Sequence, residues 1–153
     1  TTDDGPRLFA VPVREIERIQ TPLRTWTNEK LAPRKDLLGG VRGDLLRIRT
    51  RFEPGDAERV TLDIRGVRIV YDAKARQLSC LDKTAPLSPV DGRIALDVLV
   101  DRTSIEVFAN AGRPYMPMGV KFADENQSLR FFCEGGPIAV ESLEVFEIAS
   151  TWP

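Results

Sequence analysis

Residues 96–112 read LDVLVDRTSIEVFANAG and predict one long β-hairpin. In each arm every second residue is apolar, so that one face of each arm can pack on a core. The arms meet at residues 101–104, DRTS, whose short polar side chains bond to nearby backbone groups and favour a turn. We expect a second turn at residues 110–112. This pattern predicts an architecture, and by itself it predicts no function.

Short alternating segments continue along the chain from residue 44 and are separated by turn signals such as residues 53–56, EPGD. Besides the hairpin, strands are predicted at residues 45–52, 60–64, 67–72, 77–81, 115–120, 128–133 and 139–148. Eight to ten short strands, with no helix longer than two turns, favour an all-β sandwich of two antiparallel sheets. A closed barrel is the alternative, since strand spacing does not separate the two.

The first quarter of the chain lacks this regular pattern. We expect residues 1–40 to form a linker and edge segment that packs on the sandwich, and residues 41–153 to form the sandwich domain. Residues 7–13 suit a short edge strand, and residues 13–19 suit one or two helical turns or an amphipathic strap. Prolines and glycines recur after that, so residues 20–40 are predicted to be mostly irregular. Both ends of the sequence look trimmed, which favours a domain cut from a longer polypeptide.

Composition narrows the class of partner. The 153 residues suit one domain, and 22 basic residues nearly balance 23 acidic ones. This balance removes the usual electrostatic argument for nucleic acid or an anionic membrane, and it favours a neutral partner such as a sugar or a protein surface. The sequence has neither an apolar run of 18 residues nor a basic and hydrophobic leader, so no membrane helix or signal peptide is expected in it.

Histidine is absent from the sequence, which excludes Ser-His and Cys-His nucleophile pairs and imidazole metal sites. Any catalysis would use carboxylates, lysine or tyrosine. Cys80 and Cys133 each lie in an apolar run, so two buried reduced thiols are favoured over a disulfide. We expect no cofactor.

Carboxylates near the hairpin are candidates for a hydrolytic pair, because glycosidic cleavage needs two of them facing a sugar. Asp97 lies between two apolar residues of its strand, so its side chain is on the opposite face and is expected to point to solvent. Asp101 is expected to cap backbone amides, and Arg102 to pair with Glu106. A structural turn network is therefore favoured over a catalytic pair. Residues 124–126, DEN, do not have the spacing of a calcium loop, and no metal site is predicted.

Exposed aromatic rings are the other sugar-binding feature, since a flat ring can cover the apolar face of a sugar. The candidate sugar-binding residues are Trp26, Tyr115 and Trp152. Trp26 and Trp152 lie outside the regular strands, where packing of a linker against the sandwich is an equal or better explanation. Tyr71 shares the parity of Ile69 and is assigned to the core.

Several stretches, read together, resemble the C-terminal β-sandwich of glycoside hydrolase family 32, the invertases, levanases and inulinases. They are RLFAVPVREIERI, GDLLRIRTRFEPGDAERVTLDIRG and above all LDVLVDRTSIEVFANAGR, where the family has a segment like VDRSSVEVFxNxG. The resemblance covers nearly the whole chain and implies a concanavalin or lectin-like jelly-roll sandwich. It marks as a structural signature Asp101, Arg102, Ser104, Glu106, Phe108 and Gly112.

The family's catalytic motifs are Asn-Asp-Pro, Arg-Asp-Pro and Glu-Cys, all in an N-terminal propeller, and none occurs here. Cys133-Glu134 has the reversed order, and residues 82–84 read DKT where the family often has Asp-Arg-Ser. No catalytic residue is carried over. The resemblance implies a non-catalytic accessory sandwich that stabilises the five-bladed catalytic propeller of the same polypeptide.

The resemblance also sets the expected partners. It implies fructan or sucrose-type carbohydrate as the parent substrate, allows a homodimer, and favours an extracellular or periplasmic location. A lectin-like carbohydrate-binding module acting alone is the alternative function. A self-sufficient carboxylate hydrolase is the third and weakest hypothesis.

Overall fold

The computed structural model describes residues 9–150. The described part contains two antiparallel sheets, with strand orders β1-β11-β2-β7-β8-β9 and β10-β3-β4-β5-β6. The prediction of an all-β sandwich is confirmed. The elements are α1 Ile16–Ile19, β1 Gln20–Leu31, β2 Leu46–Glu53, β3 Arg59–Ile64, β4 Val67–Asp72, β5 Gln77–Cys80, β6 Lys83–Pro86, β7 Ile94–Val100, β8 Ser104–Ala109, β9 Tyr115–Gly119, β10 Leu129–Glu134 and β11 Ile138–Ile148.

The predicted hairpin is formed by β7 and β8. Their pairing runs from Leu96 opposite Ala109 to Val100 opposite Ile105. The amide of Asp101 donates to the carbonyl of Ser104 at 2.9 Å and closes the turn. As the alternation predicts, the buried side chains on the core face are Ile94, Leu96, Val98, Val100, Ile105, Val107 and Ala109.

The hydrophobic core fills the space between the two sheets. Phe52 lies at its centre, with edge contacts to Tyr71 and Phe131 at centroid distances of 6.3 and 6.0 Å. Cys80 and Cys133 are buried free thiols, as predicted. The hydroxyl of Tyr71 is buried and has no hydrogen-bond partner among the described residues. The tyrosine therefore packs as an apolar ring with one unsatisfied polar atom.

The prediction of irregular backbone over residues 20–40 is wrong for Gln20–Leu31, which form the longest strand of the described chain. β1 pairs with β11 from Gln20 opposite Ile148 to Leu31 opposite Ile138. Pro22 is tolerated because β1 is an edge strand, and the register shifts between Pro22 and Arg24. Residues 83–89, with two prolines, suit a loop or irregular edge, and the structure has the short edge strand β6 there, at Lys83–Pro86. The domain boundary at residue 40 stays a prediction.

Residues 9–19, here called the strap, cross the outer face of the six-stranded sheet. The strap ends in the predicted helical turn, α1, and no strand forms over residues 9–13, while residues 7 and 8 lie outside the described part. The amide of Ala10 donates to the carbonyl of Gly112 at 3.4 Å, and the carbonyl of Ile19 accepts from Ala149 at 2.8 Å. These two bonds fix the strap at opposite ends of its path.

No helix in residues 9–150 is long and apolar enough to cross a membrane.

Candidate functional site

A groove of about 720 Å³ lies between the strap and the outer face of the six-stranded sheet. Its floor carries Arg47, Arg49 and Arg51, which alternate along β2 with the core side chains of that strand. The strap forms one side of the groove, and Thr27 and Asn28 of β1 line it as well. The sheet register places Arg49 between Asp97 of β7 and Glu144 of β11. Opposite charges therefore alternate across the groove floor.

Arg47 and Asp97 form the best-held ion pair of the groove. Nε and Nη2 of Arg47 donate to the two carboxylate oxygens of Asp97 at 2.9 and 2.7 Å, and Nη1 donates to Gln20 Oε1 at 3.0 Å. Arg47 is only 4% exposed. Hydrogen bonding to Asp97 is the main cause that raises the pKa of Arg47 above its usual value. This pair joins β1, β2 and β7, and burial of Arg47 keeps it from direct contact with a ligand.

The expectation that Asp97 faces solvent needs correction. The alternation predicts the correct face of the strand, because Asp97 points away from the core. Its side chain is nevertheless only 19% exposed. The reason is that this face lies beneath the strap and beside Arg47. Side chains on the outer face of this sheet therefore belong to a second, polar layer beneath the strap.

Arg49 and Arg51 differ from Arg47 in being accessible. The side chain of Arg49 is 48% exposed, and its Nε lies 3.8 Å from Asp97, beyond hydrogen-bond distance. Arg51 is exposed and makes no ion pair with another described residue. These two guanidinium groups present unused donors to the groove. The sequence signal was the alternation of arginine through residues 47–51, which by itself reads as a solvated strand face.

The charged residues that line the groove are evenly divided. Four arginines stand against four carboxylates, so the formal charge of the lining is zero. They are Arg14, Arg47, Arg49 and Arg51, and Glu17, Asp97, Glu141 and Glu144.

A second polar cluster lies at the β8 and β9 edge of the same face. The ring of Tyr115 stacks on Phe108 with centroids 4.9 Å apart, and its hydroxyl donates to Glu106 Oε1. This hydrogen bond is the main cause that raises the pKa of Tyr115. The predicted ion pair between Arg102 and Glu106 is wrong among the described residues, because the β8 and β9 register brings Tyr115 to Glu106 and leaves Arg102 exposed.

The signature positions have structural roles. Asp101 accepts from the amide of Arg102 at 2.7 Å, the expected cap, and Ser104 pairs with Gly119 across β8 and β9. Gly112 has φ +85°, and a Cβ there would lie 2.7 Å from the carbonyl carbon of Ala10. Only glycine fits where the strap crosses this turn.

The aromatic sugar-binding candidates do not come together. Trp26 lies on β1 and Tyr115 on β9, the two opposite edges of the six-stranded sheet, which are about 24 Å apart over five strand spacings. Trp26 packs against the core with Arg24 over its ring at 4.7 Å, whereas Tyr115 is exposed on the outer face. Trp152 lies outside the described residues. A shared platform of Trp26 and Tyr115 is not formed.

The described residues contain no group of three or more His, Cys, Asp or Glu side chains placed to hold a metal ion. Asp97 is held by Arg47, and Glu106 is held by Tyr115. With Asp101, which accepts from the amide of Arg102, all three carboxylates of the hairpin thus act as acceptors within the fold.

A family model described as glycosyl hydrolases family 32, C terminal, matches residues 15–147. The chain belongs to this family. A levanase of Bacillus subtilis (strain 168) is 27% identical over 97% of the chain, and a levanase of Bacillus sp. (strain L7) is 29% identical over 99% of it. The chain spans only 26% and 19% of the lengths of these two relatives.

Solved structures of family members share the fold. The exo-inulinase of Aspergillus awamori matches 90% of the chain and 31% of its own with a TM-score of 0.75 at 20% identity. The fructan 1-exohydrolase IIa of Cichorium intybus matches 97% of the chain and 39% of its own with a TM-score of 0.72 at 14% identity. The predicted family and its C-terminal β-sandwich are therefore confirmed.

Proposed function

We propose that this family 32 chain is the accessory, non-catalytic sandwich of a fructan- or sucrose-cleaving hydrolase. Its task is to stabilise a catalytic domain that precedes it in the same polypeptide, which the family resemblance gives as a five-bladed propeller. Two observations support this. The chain matches only about a fifth to a quarter of the levanases, and its best-placed carboxylates are occupied by Arg47 and Tyr115.

The observation that carries the proposal is the apolar surface of the strap. Phe9, Val11 and Val13 are 44%, 65% and 63% exposed, and Val90, which lines a small cavity together with Phe9, is 40% exposed. Several large exposed apolar side chains on one short segment favour a protein interface over a solvated loop. Arg113 borders the same cavity, and arginine beside apolar side chains is typical of interface composition.

A covalent link changes what such an interface must achieve. A catalytic domain joined at the N-terminal side would meet the strap at an effective concentration near millimolar. An interface too small to hold two separate proteins together is then sufficient for stable docking.

The first test is the coding sequence upstream of Thr1. A propeller with an Asn-Asp-Pro motif is expected there, and its absence would remove the proposal. The second test adds the separately expressed catalytic domain to the 153-residue chain and measures complex formation by calorimetry. Phe9→Ser with Val11→Ser is expected to weaken the complex without lowering the melting temperature of the chain. Leu81→Ser, at an exposed leucine of the other sheet, is the matched control.

The stand-alone carbohydrate-binding module is the second candidate function. The observation that favours it is the groove, whose charge-balanced lining suits a neutral polyhydroxylated ligand. A homodimer likewise stays a prediction, and the sedimentation coefficient of the chain tests it.

A further inference from the structure

We propose that the groove between the strap and β2 binds a neutral oligosaccharide, with Arg49, Arg51 and Glu144 as its principal hydrogen-bonding side chains. The choice of a fructan as this oligosaccharide rests on the proposed function. The existence of the site rests on the groove alone.

The first argument is the chemistry of the lining. A sugar offers several adjacent hydroxyls, each both a donor and an acceptor. Guanidinium groups supply donors in a planar fork, and carboxylates supply acceptors, so alternating arginines and carboxylates can satisfy neighbouring hydroxyls in both directions. Arg49 and Glu144, opposite each other on β2 and β11, provide such a donor and acceptor on the groove floor.

The second argument is charge. Four arginines against four carboxylates give the lining a formal charge of zero. A nucleotide, a phosphorylated sugar or an acidic peptide would face Glu17 and Glu144 as well as the arginines, and would lose by repulsion what it gained by attraction. A neutral ligand escapes this penalty.

The third argument is that the groove floor is already ordered before a ligand binds. The bidentate pair of Arg47 with Asp97 fixes the floor and occupies both of these residues. Arg47 and Asp97 therefore act as positioning residues, and they leave Arg49 and Arg51 free to contact a ligand. This ion pair therefore needs no reordering when a ligand binds, whereas the exposed side chains of Arg49 and Arg51 still lose rotamer freedom.

The fourth argument is size and shape. A volume of about 720 Å³ lies within the usual range of roughly 300–1,000 Å³ for small-molecule sites and accommodates a short oligosaccharide. The groove is bounded by strap residues such as Pro12 and Arg14 and by Asn28 of β1, so that a chain can lie along β2.

The test is a titration of the isotope-labelled 153-residue chain with 1-kestose, followed by nuclear magnetic resonance. We expect chemical-shift changes at residues 47–51 and 142–144, with a dissociation constant on the order of 1 mM. Absence of any shift at about 50 mM 1-kestose would overturn the proposal. Shifts confined to the surroundings of Tyr115 would overturn it too, because they would place the sugar at the edge cluster.

Two substitutions and a control locate the site. Arg51→Gln removes an exposed cation that makes no ion pair with a described residue, and it is expected to weaken binding roughly fivefold or more. Thr27→Trp, at an exposed wall position, is expected to block the groove. Arg59→Gln, at an exposed arginine of β3 on the other sheet, should leave affinity unchanged. Equal affinity in all three variants at an unchanged melting temperature would refute the assignment.

Titration with a charged sugar distinguishes a site for neutral sugars from an anion site formed by the arginines. Glucuronate is expected to bind no better than a neutral hexose, and its binding should change little with salt. Tighter, salt-dependent glucuronate binding would show an anion site and overturn the neutral-ligand argument. Both results are independent of whether a catalytic domain lies upstream, so failure here and failure of the proposed function are distinguishable.

Discussion

Replacing Asp97 with alanine tests whether the groove floor is a structural layer. The change leaves Arg47, 4% exposed, without its bidentate acceptor and with only Gln20 Oε1 at 3.0 Å. Removing one partner of a buried pair typically costs about 3–5 kcal/mol. Because the side chain of Asp97 is 19% exposed and Gln20 still accepts one bond, we expect about 2–3 kcal/mol here. Against a total stability of roughly 5–15 kcal/mol, this is a large loss.

Urea unfolding of four proteins gives the pairwise term: wild type, Asp97→Ala, Arg47→Met and the double variant. We expect the double variant to be more stable than Asp97→Ala, since it no longer buries an unpaired cation. Arg49→Gln is the matched control, because Arg49 is half exposed and 3.8 Å from Asp97, and it should cost less than about 1 kcal/mol. A cost below about 1 kcal/mol for Asp97→Ala, or purely additive single effects, would refute the reasoning.

Four further predictions concern the strap, the core and the turn. Gly112→Ala should cost about 2 kcal/mol or more and expose the strap to limited proteolysis, because of its φ of +85° and the clash with Ala10; unchanged digestion would contradict this. Tyr71→Phe should raise the free energy of unfolding in urea by about 1 kcal/mol, because the buried hydroxyl has no partner among the described residues. Burial raises the pKa of Cys80 from 9.0 to about 11, so the unfolded chain loses this proton first. The contribution of Cys80 to the free energy of unfolding is therefore fully present below about pH 9. It falls by an amount on the order of 2 kcal/mol as the pH rises towards 11, and Cys80→Ala should flatten this slope in pH-dependent unfolding. Arg102→Ala should change the free energy of unfolding in urea by less than about 0.5 kcal/mol, because Arg102 is exposed and forms no ion pair with another described residue.

The hairpin could be predicted because its determinants are local. Alternation over residues 94–109 and short polar side chains at residues 101–104 act within one stretch of chain, and both arms and the turn follow from them. The strand β1 could not be predicted in this way. Its side chains are mostly exposed, and it carries Pro22, so no apolar period marks it. It is a strand because β11 supplies its hydrogen bonds from more than a hundred residues away.

The groove illustrates the same limit for a site. Parity places the arginines of β2 and Asp97 on the face away from the core, which is correct. The alternation does not reveal that the strap covers this face. It also does not reveal that Arg47 is the residue that binds Asp97, because Arg49 lies directly opposite Asp97 in the sheet. Arg47 lies diagonal to Asp97, and we attribute this pairing to the additional bond of Arg47 to Gln20, a residue of the strand that sequence reasoning missed.

The strap links the two proposals. Its apolar side chains point to a docked domain, while its polar residues, Arg14 and Glu17, line the groove. The strap is held at its outer end by one backbone bond of 3.4 Å between Ala10 and Gly112, which is weak for a segment that bounds a binding site. A domain seated on Phe9 and Val11 would hold this segment in place. On this reasoning, docking and sugar binding support each other, because the entropy lost in ordering the strap is paid by whichever partner binds first.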